Sequence, residues 1–181
     1  MDPIPTVAHP PPHFVLESIN PDLLHPVLQL YRQGSADATA SPPCHCELEL
    51  SIPFVEEDDP TVVLLARWFV DYDRTVPTSV VVRRTDTLDQ GFDNPSTIRT
   101  LGAFDFDADA VGIVTTGFHV VSVIVGEKAG FDDRADATLP NRTMFDGYAY
   151  AEHSFTVFVN VQQDASRPTC PSQFPSVRVC R

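Results

Sequence analysis

The chain is 181 residues long, enough to bury one hydrophobic core, and all-β domains of this size are ordinary single units. Its 25 acidic and 12 basic residues leave a formal net charge of -13, which excludes a nucleic-acid partner, since phosphate binding needs basic patches, and points instead to cations or basic proteins. No apolar run approaches the ~18–20 residues that a membrane-spanning helix needs, and the opening Met1-Asp2-Pro3-Ile4-Pro5 lacks the basic and apolar regions of a signal peptide.

Residues 1–13 contain five prolines and are expected to form an extended tether, because proline fixes φ, removes a backbone donor and disfavours helix in the residue before it. Phe14-Val15-Leu16 starts a first strand. Residues 22–31 read either as a short edge strand or as a helical turn interrupted by Pro26, and residues 33–43, rich in Gly, Ser, Ala and Pro, as an exposed loop. The clearest strand is residues 46–54: Cys46, Leu48, Leu50, Ile52 and Phe54 share one face, Glu47, Glu49 and Ser51 the other. An acidic loop follows at Glu56-Glu57-Asp58-Asp59-Pro60.

Residues 64–73 hold the only tryptophan and read as the central strand, with Ala66, Trp68 and Val70 facing the core and Arg67, Phe69 and Asp71 facing away. Residues 79–84 form a further short strand, residues 86–96 a turn-rich loop, and residues 97–109 contain a strand in which Phe104, Phe106 and Ala108 alternate with water-facing Asp105, Asp107 and Asp109. Two longer strands follow at residues 118–125 and 155–161, the latter placing Phe155, Val157, Val159 and Val161 in the core. Between them, residues 126–154 are too long for a simple hairpin loop and should carry structure of their own. From residue 162 the chain leaves the domain for a Pro-containing tail.

At Arg67-Trp68-Phe69-Val70-Asp71-Tyr72-Asp73 and at Gly117-Phe118-His119-Val120-Val121-Ser122-Val123-Ile124-Val125 the chain resembles the polycystic-kidney-disease (PKD) branch of immunoglobulin-like domains. Those domains pair a tryptophan–aromatic–x–aspartate strand with a later strand of alternating valines. The resemblance covers residues 46–161 without the insertion. It implies an all-β, immunoglobulin-like antiparallel β-sandwich of about seven core strands over residues 14–161, with the long insertion lying between strands F and G. It also implies a spacer or adhesive module of bacterial surface proteins, without catalytic residues.

In such a sandwich the start of strand B and the end of strand G lie at one end, and the B–C and F–G loops at the other. Cys44 and Cys46 then come near the 162–181 tail with Cys170 and Cys180. Two bridges clamping the tail are expected, as Cys44–Cys180 with Cys46–Cys170 or as the swapped pair, since a Cys44–Cys46 bridge would be strained. The even cysteine count suits an oxidising compartment, so the protein is expected to be extracytoplasmic, secreted or anchored at the cell surface through a leader outside this sequence. At the other end, Glu56, Glu57, Asp58 and Asp59 share a location with Asp132, Asp133 and Asp136, an oxygen-rich set suited to Ca²⁺. There is no EF-hand spacing, and a solvated acidic loop is the competing reading. Cys44-His45-Cys46 is too closely spaced for the usual structural zinc pair.

The strongest functional signal is on the face turned away from the core. Phe69, Phe118, Val120, Ile124 and Phe158 project there, where a solvated sheet should be polar, so they need a cover, either the first 45 residues with Leu23, Leu24, Val27, Leu28 and Leu30 or a partner protein. Tyr148 and Tyr150 in the insertion join them as interface candidates. His119 falls on the core face, and no nucleophile elbow, phosphate loop or zinc-protease helix occurs. Asn141-Arg142-Thr143 fits the glycosylation sequon, a pattern common by chance. The expected function is therefore that of a non-enzymatic exported bacterial surface domain without a cofactor, acting in adhesion or as a subunit of a cell-envelope assembly. The alternatives are a carbohydrate- or calcium-binding module, or an accessory domain of a secreted enzyme.

Overall fold

The computed structural model describes residues 10–20, 28–31, 46–73, 75–76, 81–88, 96–134, 139, 141–161 and 177–179, with only the backbone described at residues 18, 28–31, 46 and 177–179. Their regular structure is almost wholly strand: β1 (His13–Phe14), β2 (Leu28–Tyr31), β3 (Cys46–Leu50), β4 (Phe54–Glu56), β5 (Leu64–Val70), β6 (Arg84–Leu88), β7 (Ile98–Thr100), β8 (Phe104–Asp107), β9 (Gly117–Glu127), β10 (Tyr150–Asn160) and β11 (Val177–Val179). Single 3-10 turns occur at Leu16–Ser18 and Lys128–Gly130, and there is no α-helix among the described residues.

One sheet has the order β2-β10-β9-β5-β6, antiparallel except for its β2–β10 edge, which is parallel. Residues 28–31 thus take the strand alternative, with Val157 opposite Leu28 and Asn160 opposite Tyr31. The other side of the molecule is built from β3–β8 and β4–β7. These two ladders keep a single register: Leu50 lies opposite Phe104 and Phe54 opposite Thr100, with three residues on each strand between. The interruption falls at Pro53, which has no N–H to donate, although its carbonyl still accepts from Leu101 N at 3.0 Å. Along the far edge β1 pairs with β4, Asn20 bridges to Ser51, and β11 pairs with β3.

The inner faces of the two layers meet in one hydrophobic core, where Leu48, Leu50, Ile52, Val55 and Phe106 pack with Leu64, Ala66, Val121, Val123, Val157 and Val159. Trp68 is fully buried at its centre, stacked on Phe104 at 5.0 Å and near Phe155 at 6.5 Å between ring centroids. Phe104 and Phe106 are buried while Asp105 is exposed, as their alternation requires.

Several boundaries differ from those read in the sequence. The strand expected at residues 79–84 begins at Arg84 and runs to Leu88, into the segment read as loop, because its ladder with β5 sets Thr85 opposite Arg67 and Thr87 opposite Leu65. An edge strand with one large apolar residue, Leu88, carries little alternation to read. Phe54, placed on the core face, is instead an exposed residue of β4, because the irregular backbone around Pro53 breaks the period-2 pattern there. β10 starts at Tyr150, so the insertion is confined to residues 128–149. The 162–181 tail includes β11, whose Val179 stands opposite Cys46. Cys44, Cys170 and Cys180, and with them both bridging schemes, lie outside the described residues.

Candidate functional site

On β5, β9 and β10 every second residue points away from the core: Leu65, Arg67 and Phe69; Phe118, Val120, Ser122 and Ile124; Glu152, Ser154, Thr156 and Phe158. This outer face has two halves. Around Phe69 and Ile124, both fully buried, it is covered by described residues of the insertion, Phe131 joining a second cluster with Leu65 and Met144 packing against it, with Tyr150 of β10 alongside. Phe69 and Ile124 are thus taken up by the chain itself and are not available to a partner. The cover is the insertion; Leu23, Leu24 and Val27 lie outside the described residues, and for Leu28 and Leu30 only the backbone pairing in β2 is described.

Two ion pairs of opposite sense pin the insertion down. Arg67, on the sheet and only 7% exposed, makes a two-pronged contact with Asp133, Nη1 to Oδ1 at 2.7 Å and Nη2 to Oδ2 at 3.0 Å. It also donates to Asn141 O at 2.9 Å and lies 4.4 Å over the Phe131 ring. In return Arg142, in the insertion, pairs with Glu152 on β10 and lies over the Tyr72 ring at 4.9 Å. Burial alone would lower the Arg142 pKa, but Glu152 and Tyr150 together outweigh it, and the guanidinium is held above its ordinary value. Within the insertion, Gly130 lets two side chains close over the backbone: a Cβ there would stand 2.6 Å from Tyr148 ring atoms and 2.7 Å from Met144 Cε.

The other half is open. Phe118 is 68% exposed and Val120 44%, and the Phe118 ring meets Phe158 edge-on, 5.1 Å between centroids. Where the halves meet lies a groove of about 430 Å³ lined by Asp71, Tyr72, Asp73, Val120, Ser122, Arg142, Glu152 and Ser154. Ser122 and Ser154 are direct cross-strand partners. Asp71 closes β5 in the left-handed region, φ 50°, where aspartate is among the tolerated residues. Its carboxylate accepts from Val120 N at 2.9 Å and contacts His119 Nδ1 at 2.6 Å, tying the end of β5 to β9. The Asp73 carboxyl is held below its ordinary range, first by the Thr75 hydroxyl at 2.6 Å and then by the Thr75 N–H at 2.7 Å. Arg74 lies outside the described residues.

Of the remaining candidates, Tyr148 is exposed and Tyr150 half-buried beside the second cluster. The acidic residues read as a calcium set are distributed among other partners: Glu56 contacts His13 at 3.1 Å, Asp59 accepts from Thr61 at 2.6 and 2.7 Å, Asp132 binds Arg134 at 2.7 Å, and Asp133 holds Arg67. The Asp132 carboxyl is held low chiefly by the Arg134 hydrogen bond. Glu57 is buried, Asp58 is exposed, and Asp136 lies outside the described residues. Among the described residues no group of three or more His, Cys, Asp or Glu side chains is placed to hold a metal ion.

The groove residues that sequence reasoning missed are Asp71, Tyr72, Asp73, Ser122, Arg142, Glu152 and Ser154. A signal for the covered half was present in Arg67: a cation inside the apolar run Leu64–Val70 needs a counter-charge, and that charge had to come from outside the strand. No helix among the described residues is long and apolar enough to cross a membrane. No protein-family model, curated protein or solved structure matches the chain.

Proposed function

We propose that this is a non-enzymatic, exported bacterial surface domain of the immunoglobulin-like, PKD-like class, which acts in adhesion or as a structural subunit of a cell-envelope assembly by recognising a partner at the open half of its outer face. The observation that carries this reading is Phe118, an aromatic ring 68% exposed in the middle of a sheet face and backed by Phe158. The two layers packed around Trp68 support the immunoglobulin-like sandwich. The pairing of β11 with β3 supports a tail fastened beside Cys46, and with it the oxidising compartment that bridges would need.

The test is a photo-crosslinking residue placed at position 118 in the full chain, in the source cells. A discrete envelope-protein adduct, absent when the same residue replaces the exposed Val114 elsewhere on the surface, is the expected result. Absence of any adduct, or adducts with cytoplasmic proteins only, overturns the reading. A second reading, a carbohydrate-binding module, is favoured by the groove, whose tyrosine ring, hydroxyls and carboxylates suit sugar hydroxyls; loss of the adduct on adding free oligosaccharide would support it.

A further inference from the structure

The open aromatic pair and the groove are continuous. Ser122, Val120 and Phe118 point to one side of β9, so the groove floor and the Phe118–Phe158 pair are about 13 Å apart at the rise of a strand. The groove end is acidic: Asp71 and Asp73 are exposed at its rim, and the Arg142 charge is neutralised by Glu152. A second copy of this chain is a poor occupant, since each copy would bring a charge of -13 and the same acidic rim. A basic segment gains from both.

We propose that the open half of the outer face docks an extended basic segment of a partner protein, seating an arginine or lysine at the Asp71–Asp73 rim beside Val120 and an apolar side chain two residues away on the Phe118–Phe158 pair. This rests on the outer-face reading above and adds the chemistry of the partner. Alternate residues of an extended chain project to one side at the spacing at which Ser122, Val120 and Phe118 project from β9, so cation and apolar groups reach the face together. The cation supplies direction along the face, and the aromatic pair supplies buried area.

The experiment is an amide-shift titration of the isotope-labelled full chain with a synthetic peptide in which serine alternates with arginine, valine and leucine, at up to about 1 mM, the range expected for a contact this small. Shifts at Phe118, Val120, Ser122 and Ser154 are expected. The dissociation constant should rise at least roughly fivefold when glutamate replaces the arginine, when salt is raised, and in Asp73→Asn, whose melting curve serves as the folding control. Equal shifts with the arginine and glutamate peptides overturn the basic partner and leave the outer-face reading standing. No shift at these amides, with the position-118 adduct still formed in cells, overturns the peptide proposal alone; loss of both overturns both. Shifts at the same amides on concentrating the protein without peptide make a second copy the occupant and overturn the proposal.

Discussion

Ile124 and Phe118 lie on the same strand, point the same way and are both large and apolar, yet one is fully buried and the other is 68% exposed. The difference lies in what crosses above them. Over Ile124 the insertion is fixed by the Arg67–Asp133 and Arg142–Glu152 pairs and by Phe131; over Phe118 nothing among the described residues is tied down. Apolarity alone therefore does not decide which part of a sheet face is closed. Polar anchors that match in position hold the cover, and the apolar groups beneath them supply the area it buries.

The comparison is most strongly broken by Phe69→Ala. It empties a site between the sheet and the insertion, where Tyr72 meets the ring edge-on at 5.1 Å, and should cost about 3 kcal/mol, read as a lower urea midpoint. A midpoint unchanged from the parent would show that residues 128–149 do not close this half. Asp133→Ala should cost less, about 1–2 kcal/mol, because Asp133 itself is largely exposed while Arg67 would be left buried with one carbonyl acceptor. The added signature is faster proteolytic cleavage within residues 128–149, and equal cleavage in variant and parent would remove the anchoring role.

His153 tests the core side of β10, the strand that carries Glu152. It packs against Phe14 at 6.2 Å and Phe155 at 4.8 Å, and burial lowers its pKa from the ordinary value of 6.5. The unfolded chain therefore takes up this proton before the folded one does. The contribution to stability is intact above that value and is lost as pH falls below it toward the depressed folded pKa. In His153→Gln that part of the acid limb of the melting-temperature profile should disappear; an identical profile would show that the proton goes elsewhere. The smallest effect is expected of Phe118→Ser, within about 0.5 kcal/mol in stability, since the ring is mostly in water already. A loss as large as that of Phe69→Ala would mean that the open half is closed in solution.

The parts of the fold legible in the sequence were those with a strict period of two. The Trp68 strand, the Phe104–Asp105–Phe106 alternation and the outward set on β9 all show in the residues, because a sheet with one buried side sorts its side chains by parity. Phe118, Val120 and Phe158 were legible as apolar groups in the wrong place for water. Their separation from Phe69 and Ile124 was not, because the cover comes from Phe131 and Met144 of the insertion, which follow no period. Nor was the Arg67–Asp133 pair, whose partners are 66 residues apart and meet only through the tertiary fold. Residues 84–88 were hidden for another reason: an edge strand of Arg, Thr and Asp reads as a loop until its ladder with β5 is known.

The Ser122–Ser154 pair marks a shoreline on this face, dry toward Ile124 and wet toward Phe118. Side chains on one face of a strand repeat about every 7 Å, so the shoreline can move only by whole rungs. An insertion long enough to reach one rung further would submerge the groove; one a rung shorter would strand Ile124 in water. The extent of surface offered to a partner is thus set in discrete steps by the length of one loop, while the sheet beneath it stays the same.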